Sequence, residues 1–387
     1  MVRMRCREEH VPLGKRMGDC IVSLRGWHPA LAQAELSALF PNGEVKQLSS
    51  PRLARLKCSE NASELLVSAG IEAVFKNGVN FDWSDEETLL HQVMQHLENF
   101  SPGQASCAVL AWKHGKGIKG CSRTVIAGKV GGILSRMGGS IDLENPESTF
   151  GLLLDGFSQT VTFGWLLNHG PKADSSIERR ASQRPFFKPV SLEPRLARLA
   201  VNLACGPLAD SACLDPMTGT GGFTIEAILS GRDAIGMDLD EGMIQGAKQN
   251  LEWVGSELNP FVQGDATNIK ASLPNERDNF AGVVLDPPYG RNSQGSMDHQ
   301  ALLQHTLASA REVVRGGLTL ILPSEPRPEL LTRPLQSDER PALKHYTWKT
   351  IEDMLEETGW QYQNAWYVSV HRSLGRVIVY ATIVPQD

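Results

Sequence analysis

The chemistry-bearing residues of this sequence fall into two short runs. The first is Asp215-Pro216-Met217-Thr218-Gly219-Thr220-Gly221-Gly222 and the second is Asp286-Pro287-Pro288-Tyr289-Gly290-Arg291. Two further acids, Asp238 and Asp265, stand between them, and each of the four ends a stretch with strand character. One acid at a strand end is commonly a cap or a turn former. Four in succession along one sheet edge are harder to explain that way. A carboxylate after the second strand can accept both ribose hydroxyls of a nucleoside. One in the third loop can accept from an adenine amino group, and one near the first loop can face an ammonium. A cofactor with ribose, adenine and an ammonium but no phosphate suits that edge, and S-adenosylmethionine has that composition. The first run is no phosphate loop, because no Lys follows its glycines. Counted from Gly219, the third glycine of a dinucleotide loop would fall at Thr224, so that pattern fails too.

The second run suits a different task. Its two prolines fix φ and stiffen the turn. An aspartate, a rigid carbonyl and an aromatic face are thereby presented together, which fits transfer to the exocyclic amine of a nucleobase. The lone pair of such an amine is delocalised into the ring. Two acceptors on its hydrogens, the Asp286 carboxylate and the Pro287 carbonyl, favour a tetrahedral nitrogen whose lone pair is free to attack. Tyr289 can stack on an extruded base. The remaining task is positioning at about 3–3.5 Å, and no metal is called for.

These runs need elements to hold them. Strand character at residues 212–215, 234–238, 261–265, 281–286 and 318–322 alternates with helical segments such as 224–229 and 242–254. That alternation predicts a doubly wound α/β sheet. Strands at 366–371 and 376–383, joined by a short loop, end it as a hairpin and make a mixed, seven-stranded sheet. Upstream the pattern differs. Residues 19–75 combine short apolar runs with a helix at 30–39, a small α+β unit. A helix at 86–101, a strand from Ser106 to Trp112, a Gly/Lys loop, a helix from about Arg123 to Met137 and a hairpin over 150–166 follow. Residues 170–183 are polar and aperiodic and read as the main linker.

Charge is −6 overall, so the chain is not globally a polyanion binder, but its distribution is uneven. No acid lies between Glu98 and Asp142, while Lys113, Lys116, Lys119, Arg123, Lys129 and Arg136 fall there. A second cluster comprises Arg179, Arg180, Arg184, Lys188, Arg195 and Arg198. An acidic protein with local basic stretches can hold RNA through one face. Arg291 suits either a phosphate contact or a loop anchor, and His28, His114 and His371 suit structural or RNA-contacting roles rather than catalysis.

The 387 residues predict two or three domains. With 41% hydrophobic and 21% charged residues, disordered, fibrous and membrane-bundle classes are excluded. No apolar run approaches the roughly 18 residues of a membrane span, and the N-terminal residues lack the apolar core of a signal peptide. Seven scattered cysteines without a C-x-x-C pair support neither a zinc site nor a disulfide framework. They fit a reducing compartment, and a cytoplasmic location is expected.

The two runs together resemble Rossmann-like methyltransferases that act on exocyclic amines. The segment from Arg184 to Arg198 followed by Asn202-Leu203-Ala204, and His371-Arg372-Ser373-Leu374-Gly375-Arg376, resemble more closely the archaeal and eukaryotic tRNA guanosine-10 N2-methyltransferases. Residues 99–166, with the element Ile141-Asp142-Leu143-Glu144-Asn145-Pro146, look like a THUMP domain, an RNA-binding module. Residues 19–75, with Arg25-Gly26-Trp27-His28-Pro29 and Ala34-Glu35-Leu36, resemble the ferredoxin-like domain that precedes it. Met217-Thr218 stands where relatives often carry an aromatic residue and a cysteine.

The resemblance implies an α/β Rossmann-like methyltransferase domain over 184–387, after a ferredoxin-like domain at 1–80, a THUMP domain at 81–169 and the linker at 170–183. It implies transfer of one or two methyl groups from S-adenosylmethionine to N2 of guanosine at tRNA position 10. Asp215, Gly219, Thr220, Gly221, Asp238, Asp265 and Ala266 would line the cofactor site. Asp286, Pro287 and Tyr289 would hold the base. Lys113, Lys116, Lys119, Arg123, Arg184 and Arg291 are the expected RNA contacts. Some relatives work with a small zinc-binding activator subunit, a candidate partner here beside tRNA; neither DNA nor a membrane is expected. The runner-up keeps the chemistry and moves it to another guanosine, at tRNA position 6 or in ribosomal RNA. Asp rather than Asn at 286 and the 184–198 segment weigh against it. A non-catalytic RNA-binding protein is the other class, against which the intact acid row and D-P-P-Y run stand.

Overall fold

The computed structural model describes residues 18–42, 45–58, 64–101, 103–167, 178–188, 191–209, 212–274, 278–288, 298–327 and 333–384. In the N-terminal half, β1 (Gly18–Leu24), α1 (Pro29–Leu39), β2 (Val45–Gln47), β3 (Leu53–Cys58), α2 (Glu64–Val67) and β4 (Ile71–Asp82) are followed by α3 (Glu86–Asn99), β5 (Ser106–His114), α4 (Arg123–Arg136), β6 (Ser140–Ile141), β7 (Ser148–Asp155) and β8 (Thr160–Leu166). Among the described residues these strands make one sheet in the order β2-β3-β1-β4-β8-β7-β5-β6. The boundary expected at residue 80 falls inside β4, which pairs with β1 on one side and β8 on the other. A polar turn after Asp82 marks the end of that strand, not a gap between two sheets.

A largely buried polar cluster ties β4 to β5 and β7. His114, at the end of β5, bonds Glu72 of β4 through Nε2 at 2.8 Å and Asp155 of β7 through Nδ1 at 3.2 Å. Burial alone would raise both carboxyls. The hydrogen bond from His114 to each, the charge of Arg52 beside Glu72 and the Ser50 hydroxyl on Asp155 outweigh it and hold each at about 2. His114 is therefore structural, and it sits at the root of the Gly/Lys loop: its carbonyl accepts from Gly117 N and Gly156 N.

The C-terminal half contains α5 (Pro194–Cys205), β9 (Cys213–Asp215), α6 (Gly222–Leu229), β10 (Ala234–Asp238), α7 (Glu241–Trp253), β11 (Phe261–Gln263), α8 (Ile269–Ser272), β12 (Phe280–Leu285), α9 (His299–Val313), β13 (Val314–Ser324), α10 (Trp348–Glu357), β14 (Trp360–His371) and β15 (Leu374–Ile383). The sheet order is β11-β10-β9-β12-β13-β15-β14. The first five strands run parallel, and β15 and β14 are antiparallel, giving the expected mixed, seven-stranded, Rossmann-like sheet. Order reverses between β9 and β12, and ligands of such sheets bind outside the carboxyl ends of the strands at that switch.

The two halves share a core. Leu31 of α1 and Ala69 pack with Leu196, Leu199 and Leu203 of α5 and with Trp366 of β14. His28 caps α1 by accepting from Leu31 N at 3.1 Å, and its Nε2 donates to Tyr367 O of β14 at 3.1 Å. Burial pushes this imidazole down to about 4, so it is neutral at pH 7 and the tautomer is fixed by its two bonds. The linker expected at 170–183 lies outside the described residues except for 178–183. No helix among the described residues is long and apolar enough to cross a membrane.

Candidate active site

Asp215 ends β9, Asp238 ends β10, Asp265 lies two residues beyond β11, and Asp286 follows the last residue of β12. The register pairs Gly236 with Asp215 and Asp238 with Gln263, so parallel strands bring all four acids to one sheet edge. Sequence alternation alone set that alignment, because each βα unit returns the chain to the same edge.

The turn after β9 is built by its own polar groups. Gly219 and Gly221 take φ of +51° and +82°, the left-handed region that favours glycine. Gly221 N donates to Thr218 O at 2.8 Å, and Thr218 N to Met237 O at 2.8 Å, which ties the loop to β10. Asp215 is 1% exposed. Its Oδ2 accepts from Thr218 Oγ1 at 2.7 Å and Thr224 Oγ1 at 2.9 Å. Burial pushes this carboxyl up to about 7 against the pull of both hydroxyls, and the charge of Asp238 adds to the rise. Its Oδ1 is buried with no hydrogen-bond partner among the described residues.

Asp238 is half-buried. Its Oδ2 accepts from Gly219 N at 2.9 Å and its Oδ1 from Asp240 N at 3.0 Å, and burial raises its pKa. Asp265 is exposed and caps the short turn Ala266–Asn268, with Oδ1 accepting from Thr267 N and Oγ1, both at 2.8 Å. Ala266 is buried beneath it. Asp286 is half-buried, Pro287 buried and Pro288 exposed. Tyr289 and Arg291 lie outside the described residues.

Asn250, not singled out from the sequence, completes the loop with Phe186 and Ser191 of the segment that carries the resemblance. Asn250 of α7 donates through Nδ2 to Thr220 O at 2.9 Å and to Phe186 O at 2.9 Å, and accepts from Phe186 N at 3.0 Å. Ser191 Oγ lies 3.2 Å from Thr220 Oγ1. Phe186, through Asn250, and Ser191 directly are thus tied to Thr220. An Asn in the middle of an otherwise amphipathic helix was the available signal, since a buried Asn needs partners.

The second basic cluster is divided by the structure: Arg180 and Lys188 are exposed, and Arg184 is enclosed. Arg184 is 6% exposed, not part of an open RNA face. It lies with Arg179 and Arg198 around Glu226 of α6. Arg179 Nε is 2.9 Å from Glu226 Oε1, and Arg198 Nη2 is 2.8 Å from Glu226 Oε2. Burial lowers the Arg184 pKa, partly offset by the Glu226 charge. Arg179, Arg184 and Arg198 looked like open charge because the carboxylate they gather around, Glu226, sits on another helix. The first basic stretch is open: Lys113, Lys116, Lys119 and Arg123 are all exposed. Lys129 is also exposed but pairs with Glu86. No cluster of three or more metal-ligating side chains occurs among the described residues.

Residues 181–345 match the model of UPF0020, the RMKL-like methyltransferase domain. The chain is 30% identical over 310 residues to a tRNA (guanine(10)-N2)-dimethyltransferase of Pyrococcus abyssi, covering 79% of this chain and 88% of that protein. It is 31% identical over 203 residues to a protein of the same name from Methanothermobacter thermautotrophicus, 52% of each chain. Among solved structures, TrmN from Thermus thermophilus aligns with a TM-score of 0.48 and 19% identity, over 95% of this chain and 100% of that one. With 30% identity over most of both chains, this protein belongs to the family of the tRNA (guanine(10)-N2)-dimethyltransferases.

Proposed function

We propose that this chain methylates the exocyclic N2 amine of guanosine at tRNA position 10, with S-adenosylmethionine as methyl donor. The observation that carries the reading is the row Asp215, Asp238, Asp265 and Asp286 along one edge of the switch-point sheet, in a chain with those relatives. The residues fit the cofactor. Asp215 keeps a buried, unpartnered Oδ1 beneath the glycine turn, which suits a cationic group. Asp238 stands at the second strand, where a ribose is held. Asp265 has one carboxylate oxygen outside its cap for an amino group, with Ala266 beside it. Gly219, beside Thr220, faces open space and leaves room for close approach. When bound, the cofactor supplies an activated methyl group on a sulfonium.

The chain's own residues do the rest. The Asp286 carboxylate and the Pro287 carbonyl accept the two hydrogens of the guanine amine and turn its lone pair outward. Tyr289 stacks on the base. No strong general base is needed, because the nitrogen becomes acidic only after it has gained the methyl. The eight-stranded half holds the RNA, as a ferredoxin-like unit followed by a THUMP unit. Lys113, Lys116, Lys119 and Arg123 contact phosphates there, and Arg291 does so beside the base. Such contacts place the RNA without specifying the base.

The test uses labelled S-adenosylmethionine and two unmodified transcripts, with guanosine or adenosine at tRNA position 10. N2-methylguanosine from the first alone supports the reading, and its mono- to dimethyl ratio is read in the same digest. Equal labelling of both moves the target to another guanosine. No transfer from either, with a zinc-binding activator subunit added, overturns it.

A further inference from the structure

We propose that the β14–β15 turn, with Lys344, is a second phosphate-binding clamp at the catalytic edge, gripping the RNA backbone beside the target nucleotide. The proposal rests on the functional reading above and adds a contact on the side of the sheet away from the cofactor strands. Topology places it. Strands β12 and β13 run parallel, so both end at the edge that carries Asp286. Because β15 is antiparallel to β13, its first residues return to that edge: Ser324 pairs with Gly375 and Pro323 with Arg376. The turn between β14 and β15 therefore projects from the same rim. It lies two to three strand spacings across from β12, about 10–14 Å, and stands above the end of that strand, because Leu285 is level with Leu320 while the turn begins opposite Ser324. That is the region the flanking backbone of an extruded base must cross.

The turn is held in place, and its cations form no ion pair among the described residues. Lys344 N donates to Pro323 O at 3.0 Å, and Lys344 Nζ reaches Ser373 O at 3.4 Å. Tyr367 of β14 accepts from Arg327 N at 2.8 Å, fixing the strand end below. His371, Arg372 and Lys344 are exposed. Nearby cations are neutralised: Arg333 by Glu339, Arg340 by Glu352 and Lys349 by Asp353. Among the described residues, Lys344 and Arg372 have no such partner. The sequence carries no Asp or Glu between Glu357 and Asp387. Glu325 is the exposed acid on this rim. A basic turn on rigid strands, with two exposed cations against the single exposed carboxylate of Glu325, has the chemistry of a backbone-phosphate contact.

The test compares wild type with the double variant Lys344→Glu/Arg372→Glu, titrating an unmodified tRNA transcript at several salt concentrations. Calorimetry with S-adenosylhomocysteine is the control for fold and cofactor site. The expected result is tRNA affinity weakened about tenfold, a salt slope reduced by about one to two, and unchanged S-adenosylhomocysteine binding. Lys344→Arg/Arg372→Lys keeps wild-type affinity. Unchanged tRNA affinity and slope in the charge-reversed variant overturn the clamp. Failure of the functional reading shows separately, as wild-type protein that binds tRNA but neither binds S-adenosylhomocysteine nor transfers methyl.

Discussion

Glu35 Oε1 accepts a hydrogen bond from Asn202 Nδ2 at 2.7 Å, across 167 residues of sequence, and that contact fastens the N-terminal half to the catalytic half. Both residues are fully buried. Glu35 also accepts from Ser68 Oγ, Ala69 N and Gly70 N, and Asn202 Oδ1 accepts from Arg232 Nη2. Asn202→Ala would orphan an Arg232 donor and remove one of the four bonds to Glu35. Leaving such buried groups unpaired costs about 1–3 kcal/mol. Chemical denaturation should show that loss as one transition at lower denaturant, since the halves share a core. Two separated transitions in the wild type would contradict the shared core.

His28 gives the fold an acid limit. Its folded pKa of about 4 lies below the ordinary value of 6.5, so the unfolded chain takes up the proton first as pH falls. Its contribution is full above pH 6.5 and is lost between 6.5 and about 4. At about 1.4 kcal/mol per pH unit, the loss totals about 3 kcal/mol. His28→Asn should lower stability at pH 7 and flatten the slope between pH 6.5 and 4. An unchanged slope would show that the imidazole does not titrate there.

Asp215 acts in the opposite direction. Its folded pKa is raised to about 7, so the native carboxyl costs stability as pH rises from near 4 to 7. A bound cation favours the ionised form. Affinity for S-adenosylhomocysteine should therefore rise with pH through 7 in wild type and lose that dependence in Asp215→Asn. Calorimetry at pH 6 and 8 reads both, and equal pH dependence in the two proteins would remove Asp215 from the ammonium site.

Glu226 is the shared counter-ion of the buried arginines. Glu226→Gln leaves Arg179, Arg184 and Arg198 packed together without a carboxylate, and breaking a buried pair in that way costs about 3–5 kcal/mol. Arg184→Gln, by contrast, should leave tRNA affinity unchanged, since its guanidinium is enclosed. A loss of tRNA affinity with intact stability would return Arg184 to the RNA surface.

The catalytic edge was legible in sequence because glycines, prolines and acids punctuate it at strand ends. Asp215, Asp238, Asp265 and Asp286 fell where the alternation put them. The exact ends moved by a residue or two: β11 stops at Gln263, and Asp265 caps a turn beyond it. What the sequence hid were partnerships between distant segments. Arg184 and Arg198 read as surface charge because Glu226 lies in another element. Glu35 and Asn202 each stood in a short run that carries the family resemblance, but nothing in the sequence showed that they bond to one another. The continuous sheet through β4 was hidden because a strand does not announce which of two neighbours it pairs with.

Asp286 carries the central chemical claim for the chain's own residues. Asp286→Ala should lower kcat by about 10²–10³, the range for removing one preorganised electrostatic partner, with S-adenosylhomocysteine and tRNA affinities within twofold of wild type. Full activity would discard the amine-holding role.

The most direct test replaces one atom group in the substrate. Two tRNA transcripts differ only at tRNA position 10, one with guanosine and one with inosine, which lacks the N2 amine. The enzyme is given labelled S-adenosylmethionine, and methyl incorporation is mapped by mass spectrometry. The account predicts methylation of the guanosine transcript at that position and none of the inosine transcript, with both bound equally well. Equal incorporation into the inosine transcript would contradict it.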